Sequence, residues 1–206
     1  MIYELRSYVL ASERFAEYIA TFSDRPAVVE VLRPYLRGFW ASESGILNRV
    51  MHLYEYRDRA ERAAVRSARA QVPIMRSFYA DVLPMLRKQR SVIYEGKVGS
   101  AYPSRGGVYD RVAIALAPGV SRERSDRLAG ELGESLSAAF QVAATLESRW
   151  LEQPRAPAQE LVFMLRSASL EERHRAAVDF CTHISDSSVA AIETDLWTPL
   201  GFSPLQ

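Results

Sequence analysis

Residues 96–107 read GKVGSAYPSRGG, in which glycine, serine and a single proline leave almost nothing to pack. This is the chemistry of a connection rather than of a strand or helix. Working outward from it in both directions, the same order of elements appears twice. On the N-terminal side, MIYELRSYVL alternates like a strand, and SERFAEYIATF places Phe15, Ile19 and Phe22 on one helical stripe. Pro26 interrupts that stripe. Val28, Leu32 and Leu36 carry a second one as far as Gly38, where the helix is expected to stop. FWASES and LNRVMHLYEY then read as a hairpin turning at Gly45. Asp58 is placed to cap RAERAAVRSARA, and Pro73 sits in the first turn of PIMRSFYADVLPML, where its missing N–H costs nothing. RSVIYEG supplies the last strand.

On the C-terminal side, VYDRVAIAL is a strand, and SRERSDRLAGELGESL is a helix with Leu128, Leu132 and Leu136 at spacing four. AFQVAATLESRWL and QELVFMLRS form a hairpin across Pro154–Pro157. SLEERHRAAVDFCTHI opens with a capping box, Ser169 and Glu172, and AIETDLWTPL closes the unit. The reading is α+β: two tandem ferredoxin-like βαββαβ repeats, residues 1–96 and 108–206, joined by a linker at 97–107. Each repeat leaves one sheet face bare, so the two are expected to pack sheet to sheet as an intramolecular barrel with a cavity between them.

Composition narrows the function classes. Charged residues make up 25% of the chain and its net charge is +1, which gives no global pull toward nucleic acid or anionic membranes. Cys181 is the single cysteine, which excludes an intramolecular disulfide. No aliphatic run is long enough to span a bilayer and no signal peptide is evident, so a cytoplasmic location is expected. Histidines at 52, 174 and 183 show no metal-ligand spacing, and no metal or cofactor is expected; an axial haem contact through His52 is the minor alternative. His174 between two arginines reads as solvated, and Cys181 as inert core.

MIYELRSY, GFWASESGILNRVMHLYEY and LWTPLGFSPLQ together resemble the NIPSNAP family of the dimeric α+β barrel superfamily. In the first half the match runs through Tyr3-Glu4-Leu5-Arg6, Gly38-Phe39-Trp40 and Asn48-x-Val50-x-His52-Leu53. In the second half it rests on element order and the FSPLQ ending. The resemblance implies the barrel fold. Its superfamily spans cofactor-independent oxygenases, isomerases, cyclases, haem-handling proteins and plain ligand binders, so it does not decide a reaction.

Period-two geometry divides the first sheet into two faces. Tyr3, Leu5, Val9, Met51 and Leu53 are plainly apolar and are expected under the helices. Glu4, Arg6, Tyr8, Asn48, Val50, His52, Tyr54 and Tyr56, joined by Trp40 and Ser42, are then expected to look into the void between the repeats. Charges there cost on the order of several kcal/mol each unless paired, hydrated or bound by a ligand. Aligning the repeats sets Asp110 on Glu4, Val112 on Arg6 and, with ELVFMLR laid on NRVMHLY, Met164 on His52. The second copy thus lacks the guanidinium and the imidazole, which points to one asymmetric site in the first.

Two readings follow. In the first, the protein is an enzyme without a cofactor, doing acid–base chemistry on a small apolar, aromatic or polyketide-like molecule. His52 is the acid or base, Glu4 orients it, and Arg6 holds a developing anion. Tyr8, Trp40, Asn48, Tyr54 and Tyr56 bind the substrate. In the second, the same residues form a purely structural network in a ligand-binding or interaction module. A homodimer of the tandem chain is open to either.

Overall fold

Alternation of side chains over nine residues makes Ile2–Leu10 a strand, β1, with one set of residues on each face. The computed structural model describes residues 1–98, 107–137, 141–147, 159–174 and 186–204. After β1 come helices α1 (Phe15–Ser23) and α2 (Pro26–Leu32), strands β2 (Leu36–Ser42) and β3 (Arg49–Tyr56), helices α3 (Arg59–Gln71) and α4 (Pro73–Val82), and strand β4 (Leu86–Val98). The second half runs β5 (Val108–Leu116), α5 (Arg122–Ser137), β6 (Gln141–Glu147), β7 (Glu160–Ser167), a helical segment at 170–174, and β8 (Val189–Pro199).

Local chemistry explains several of these boundaries. The Asp58 carboxylate accepts from Glu61 N–H at 2.8 Å, and the Glu61 carboxylate accepts from Arg57 N–H at 2.6 Å, so two orphan donors at the start of α3 are satisfied reciprocally. The 170–174 helix repeats the device. Ser169 accepts from Glu172 N–H at 3.1 Å, and Glu172 accepts from Ala168 N–H at 2.7 Å. Pro26 and Pro73 each open a helix.

Gly38 does not end a helix. α2 stops at Leu32, and Gly38 lies inside β2 at a register shift against β3. The Trp40 indole folds back over it; a Cβ at Gly38 would lie 1.9 Å from the Trp40 ring. β4 also runs past residue 96, so Lys97 and Val98 belong to a strand rather than to the connection. Pro154–Pro157, Cys181 and His183 fall outside the described residues. His174 is exposed.

The strands close in the order β1-β3-β2-β8-β5-β7-β6-β4, antiparallel throughout. The two halves meet at two seams, Trp40–Ser42 on Trp197–Pro199 and Glu95–Val98 on Ala144–Glu147. A barrel closed in this way has no free edge.

Three apolar layers result. One lies between the first four strands and α1, α2 and α4, and includes Tyr8, Phe22, Phe39, Val50 and Phe78. One fills the lumen, with Tyr3, Leu5, Trp40, Met51, Leu53, Tyr94, Tyr109 and Trp197. The third lies under α5, where Leu128, Leu132 and Leu136 meet Val112, Ile114, Phe163 and Leu165.

This reverses the expected assignment of faces. Tyr3, Leu5, Met51 and Leu53 point into the lumen, while Tyr8, Val50, Tyr54 and Tyr56 lie beneath the helices. The second sheet meets Tyr3, Leu5, Met51 and Leu53 with further apolar side chains, whereas the polar tips of Arg6, Tyr8, His52 and Tyr54 lie where helical side chains such as Tyr18 and Arg66 can meet them.

Candidate active site under the helices of the first repeat

Arg6 and His52 are register partners on β1 and β3, with Tyr8 beside one and Tyr54 beside the other. Their shared face opens into a cavity of about 320 Å³ between the sheet and helices α1, α3 and α4. Arg6, Tyr8, His52, Tyr54 and Tyr56 line it. Trp40 does not: it is fully buried in the lumen, one residue out of phase, because Phe39 rather than Trp40 pairs with His52. Asn48 does not line it either. It is a turn residue with φ +53°, whose carbonyl accepts from Leu10 N–H at 2.8 Å.

His52 is 4% exposed and packed by aromatic rings, with the Phe39 ring centroid at 3.8 Å and that of Tyr8 at 5.2 Å. Its Nδ1 lies 3.2 Å from the Tyr54 hydroxyl and its Nε2 3.4 Å from the Tyr18 hydroxyl. Burial, with the Arg6 guanidinium adding to it, holds the imidazole well below its ordinary pKa, so at neutral pH it carries one proton. When Nδ1–H donates to Tyr54, the Nε2 lone pair faces Tyr18 and the cavity, across a contact long enough to be exchanged for a ligand's. Burial pushes the Tyr18, Tyr54 and Tyr8 phenols up, leaving all three as hydroxyl donors. Burial opposes the charge on Arg6, but neighbouring Tyr8, Tyr54 and Glu4 outweigh it, and the guanidinium stays protonated.

Glu4 plays a different part from the one expected. Its Oε1 accepts from Arg62 and from Ser91, both at 2.7 Å, and from Arg66 at 3.1 Å, while Arg6 Nε stands at 3.6 Å. It ties α3 to β1 and β4 and reaches Arg6, not His52. Burial works against its charge, yet the Arg62 and Ser91 hydrogen bonds and the nearby Arg6 prevail and hold it below the usual carboxylate range. The second repeat keeps the strut: Asp110 accepts from Arg173 Nε at 2.9 Å and Nη2 at 2.8 Å. Arg62 and Arg173 each follow directly on the glutamate of their capping box, so this ion pair belongs to the architecture.

The cluster around His52 does not recur. Val112 and Phe163 are register partners where Arg6 and His52 stand in the first repeat, with Ile114 and Leu165 beside them. The counterpart of His52 is therefore Phe163, not Met164, which faces the lumen. An aliphatic and aromatic core satisfies the fold at this position, and the first repeat departs from it.

Periodicity alone does not find Tyr18, Tyr79, Arg66 and Arg69, which also line the cavity. Tyr18 sits between Phe15 and Phe22 on the packed stripe of α1, and a tyrosine tip on such a stripe is the signal available. Arg69 is 7% exposed, its Cζ 5.3 Å from the Tyr54 ring and 5.2 Å from that of Tyr35. Among the described residues, no group of three His, Cys, Asp or Glu gathers as metal ligands. No helix there is long and apolar enough to cross a membrane.

An eight-stranded antiparallel barrel with helices outside each half defines a dimeric α+β barrel protein, here built within one chain. Residues 3–98, nearly the first half of the chain, match the NIPSNAP family model, and that half is a NIPSNAP domain. The human protein NipSnap homolog 3A is 29% identical over 123 residues, 58% of this chain and 49% of its own length. The chain thus spans about half the length of the curated relatives it matches. A NIPSNAP domain protein of Burkholderia xenovorans is 30% identical; the alignment covers 50% of this chain and 99% of that one, with a TM-score of 0.42. A protein of Lactobacillus acidophilus NCFM, provisionally called a monooxygenase, aligns over 97% of this chain and 92% of its own, with a TM-score of 0.61. At 14% identity, that likeness concerns the fold.

Proposed function

We propose that the helix-side cavity of the first repeat binds a small, flat, partly apolar molecule bearing a ketone, enol or phenol, and moves a proton on it without a cofactor. The observation that carries this reading is the replacement of Arg6 and His52 by Val112 and Phe163 at the equivalent positions of the second repeat. Buried polar groups that the fold does not require call for another reason to be there.

His52 Nε2 accepts the proton, Tyr54 fixes the ring, and Arg6 balances charge developing on oxygen, with Tyr18 as a hydroxyl donor. Burial depresses the imidazole, and the positive charge of Arg6 adds to it. An anionic enolate or phenolate offsets that charge and raises the basicity of His52 as it forms, so ligand and base are coupled. Enolisation of this kind is the shared first step of isomerisation, cyclisation and cofactor-free oxygenation.

2-Tetralone is a suitable probe: a bicyclic benzylic ketone of the right size whose C1 protons exchange on enolisation. Proton NMR in D2O should show wild-type protein accelerating that exchange, with His52→Gln losing about 10²–10⁴-fold and Arg6→Gln losing less. Equal exchange in wild type and His52→Gln would refute the assignment of His52 as base. A second reading is favoured by the engagement of both ring nitrogens by tyrosines: the cavity binds without turnover. Binding of 2-tetralone without exchange would identify that case.

A further inference from the structure

A second cavity, of about 280 Å³, lies on the opposite side of β1 and β3, inside one end of the barrel lumen. We infer that it is a separate binding site for a small carboxylate with an apolar body, formed by both repeats together.

Its floor is Leu5, Met51 and Val92, and its aromatic wall is Tyr94 and Trp197. Arg49, Lys88, Arg90 and Arg111 supply four cations. Three carboxylates oppose them. Asp195 accepts from Arg111 at 2.6 Å and lies 2.8 Å from Arg49, Glu160 lies 3.2 Å from Arg90 and 3.9 Å from Arg111, and Glu193 lies 3.7 Å from Arg111. One positive charge is left over, carried by Lys88, which lines the cavity, is exposed to solvent and has no ion-pair partner among the described residues. An anion completes the balance.

Trp197 provides the second observation. It is fully buried and lines the cavity, and its indole N–H has no acceptor among the described residues. Its ring is already covered on one side by Arg49, with Cζ 4.5 Å from the centroid. A buried donor without an acceptor is costly, and a carboxylate oxygen in the cavity would take that hydrogen bond. The apolar floor suits a ligand body such as a phenyl ring, and the volume limits it to a small one.

Benzoate is the probe, read through the Trp197 indole N–H resonance in the full-length protein. Saturable binding that shifts this resonance is expected, with benzamide binding at least about tenfold more weakly because it lacks the charge. Trp197→Phe should weaken benzoate about fivefold, and Lys88→Gln by a similar factor. Ser7→Leu, which fills the lumen side of β1 without replacing a charged residue, should abolish binding while the circular dichroism spectrum is retained.

His52→Gln, on the other face of the sheet, should leave benzoate affinity unchanged. This separates the lumenal site from the proton-transfer cavity, whose walls contain no tryptophan among the described residues. No saturable binding below about 10 mM, equal affinity for benzamide, or binding lost in His52→Gln but kept in Ser7→Leu would overturn the assignment.

Discussion

Replacing His52 by phenylalanine, the residue that stands at its counterpart in the second repeat, should make stability less sensitive to acid. In the folded protein the imidazole is held neutral by burial and by Arg6, whereas in the unfolded chain it titrates near its ordinary value. The unfolded state therefore binds more protons below that value, and stability falls as pH falls. For one histidine with an unfolded pKa of about 6.5 that stays neutral when folded, lowering the pH from about 7.5 to about 5.5 costs about 1.4 kcal/mol. His174, His183 and the carboxylates are common to both proteins, so their contributions cancel in the difference. His52→Phe also removes the partners of Tyr18 and Tyr54, about 1 kcal/mol each, but that offset is independent of pH over this range. Urea unfolding of both proteins at the two pH values measures the double difference. Wild type should lose about 1.4 kcal/mol more than the variant; parallel pH dependences would refute a neutral, buried His52. If the phenylalanine variant does not fold, His52→Gln retains a hydrogen-bonding group and carries the same comparison.

Glu4→Gln leaves the buried strut without its charge, and urea unfolding near neutral pH should show a loss of about 2–3 kcal/mol, the partial exposure of Arg62 and Arg66 keeping it below the full cost of a buried pair. Because the Glu4 carboxyl is held below its ordinary pKa, this difference should be fully present above about pH 4.5 and shrink as acid protonates the wild type. Gly38→Ala drives a methyl into the Trp40 ring and should cost about 3 kcal/mol by thermal or chemical unfolding. Adding Trp40→Leu should recover part of that loss, since the two changes share one contact.

Much of the fold can be read from residue order. The alternation of β1 and β5, the Leu128–Leu132–Leu136 stripe, the Asp58 cap and the Ser169–Glu172 box each depend on neighbours in sequence, and each stands where local chemistry puts it. The faces cannot be read that way. Alternation separates Tyr3, Leu5 and Met51 from Arg6, Tyr8 and His52, but it does not say which set a second sheet will cover. Trp40 adds a parity problem, because the irregularity at Gly38 and the length of the β2–β3 connection fix which of Phe39 and Trp40 meets His52. A similar slip set Met164 in place of Phe163. The grouping of Arg6, Tyr8, His52 and Tyr54 was legible, whereas Tyr18 and Arg69 come from helices whose docking depends on tertiary packing.

The lumen also bears on how such a barrel comes to be asymmetric. Arg49 and Glu160 occupy matching places in the two halves, as do Arg90 and Glu193, so base in one copy meets acid in the other. Two identical subunits related by rotation could never differ at matching places; they would bring like charges together around the axis. Joining the copies in one polypeptide lifts that symmetry restriction, lets each half drift toward the other's complement, and leaves neither suited to pair with its own twin.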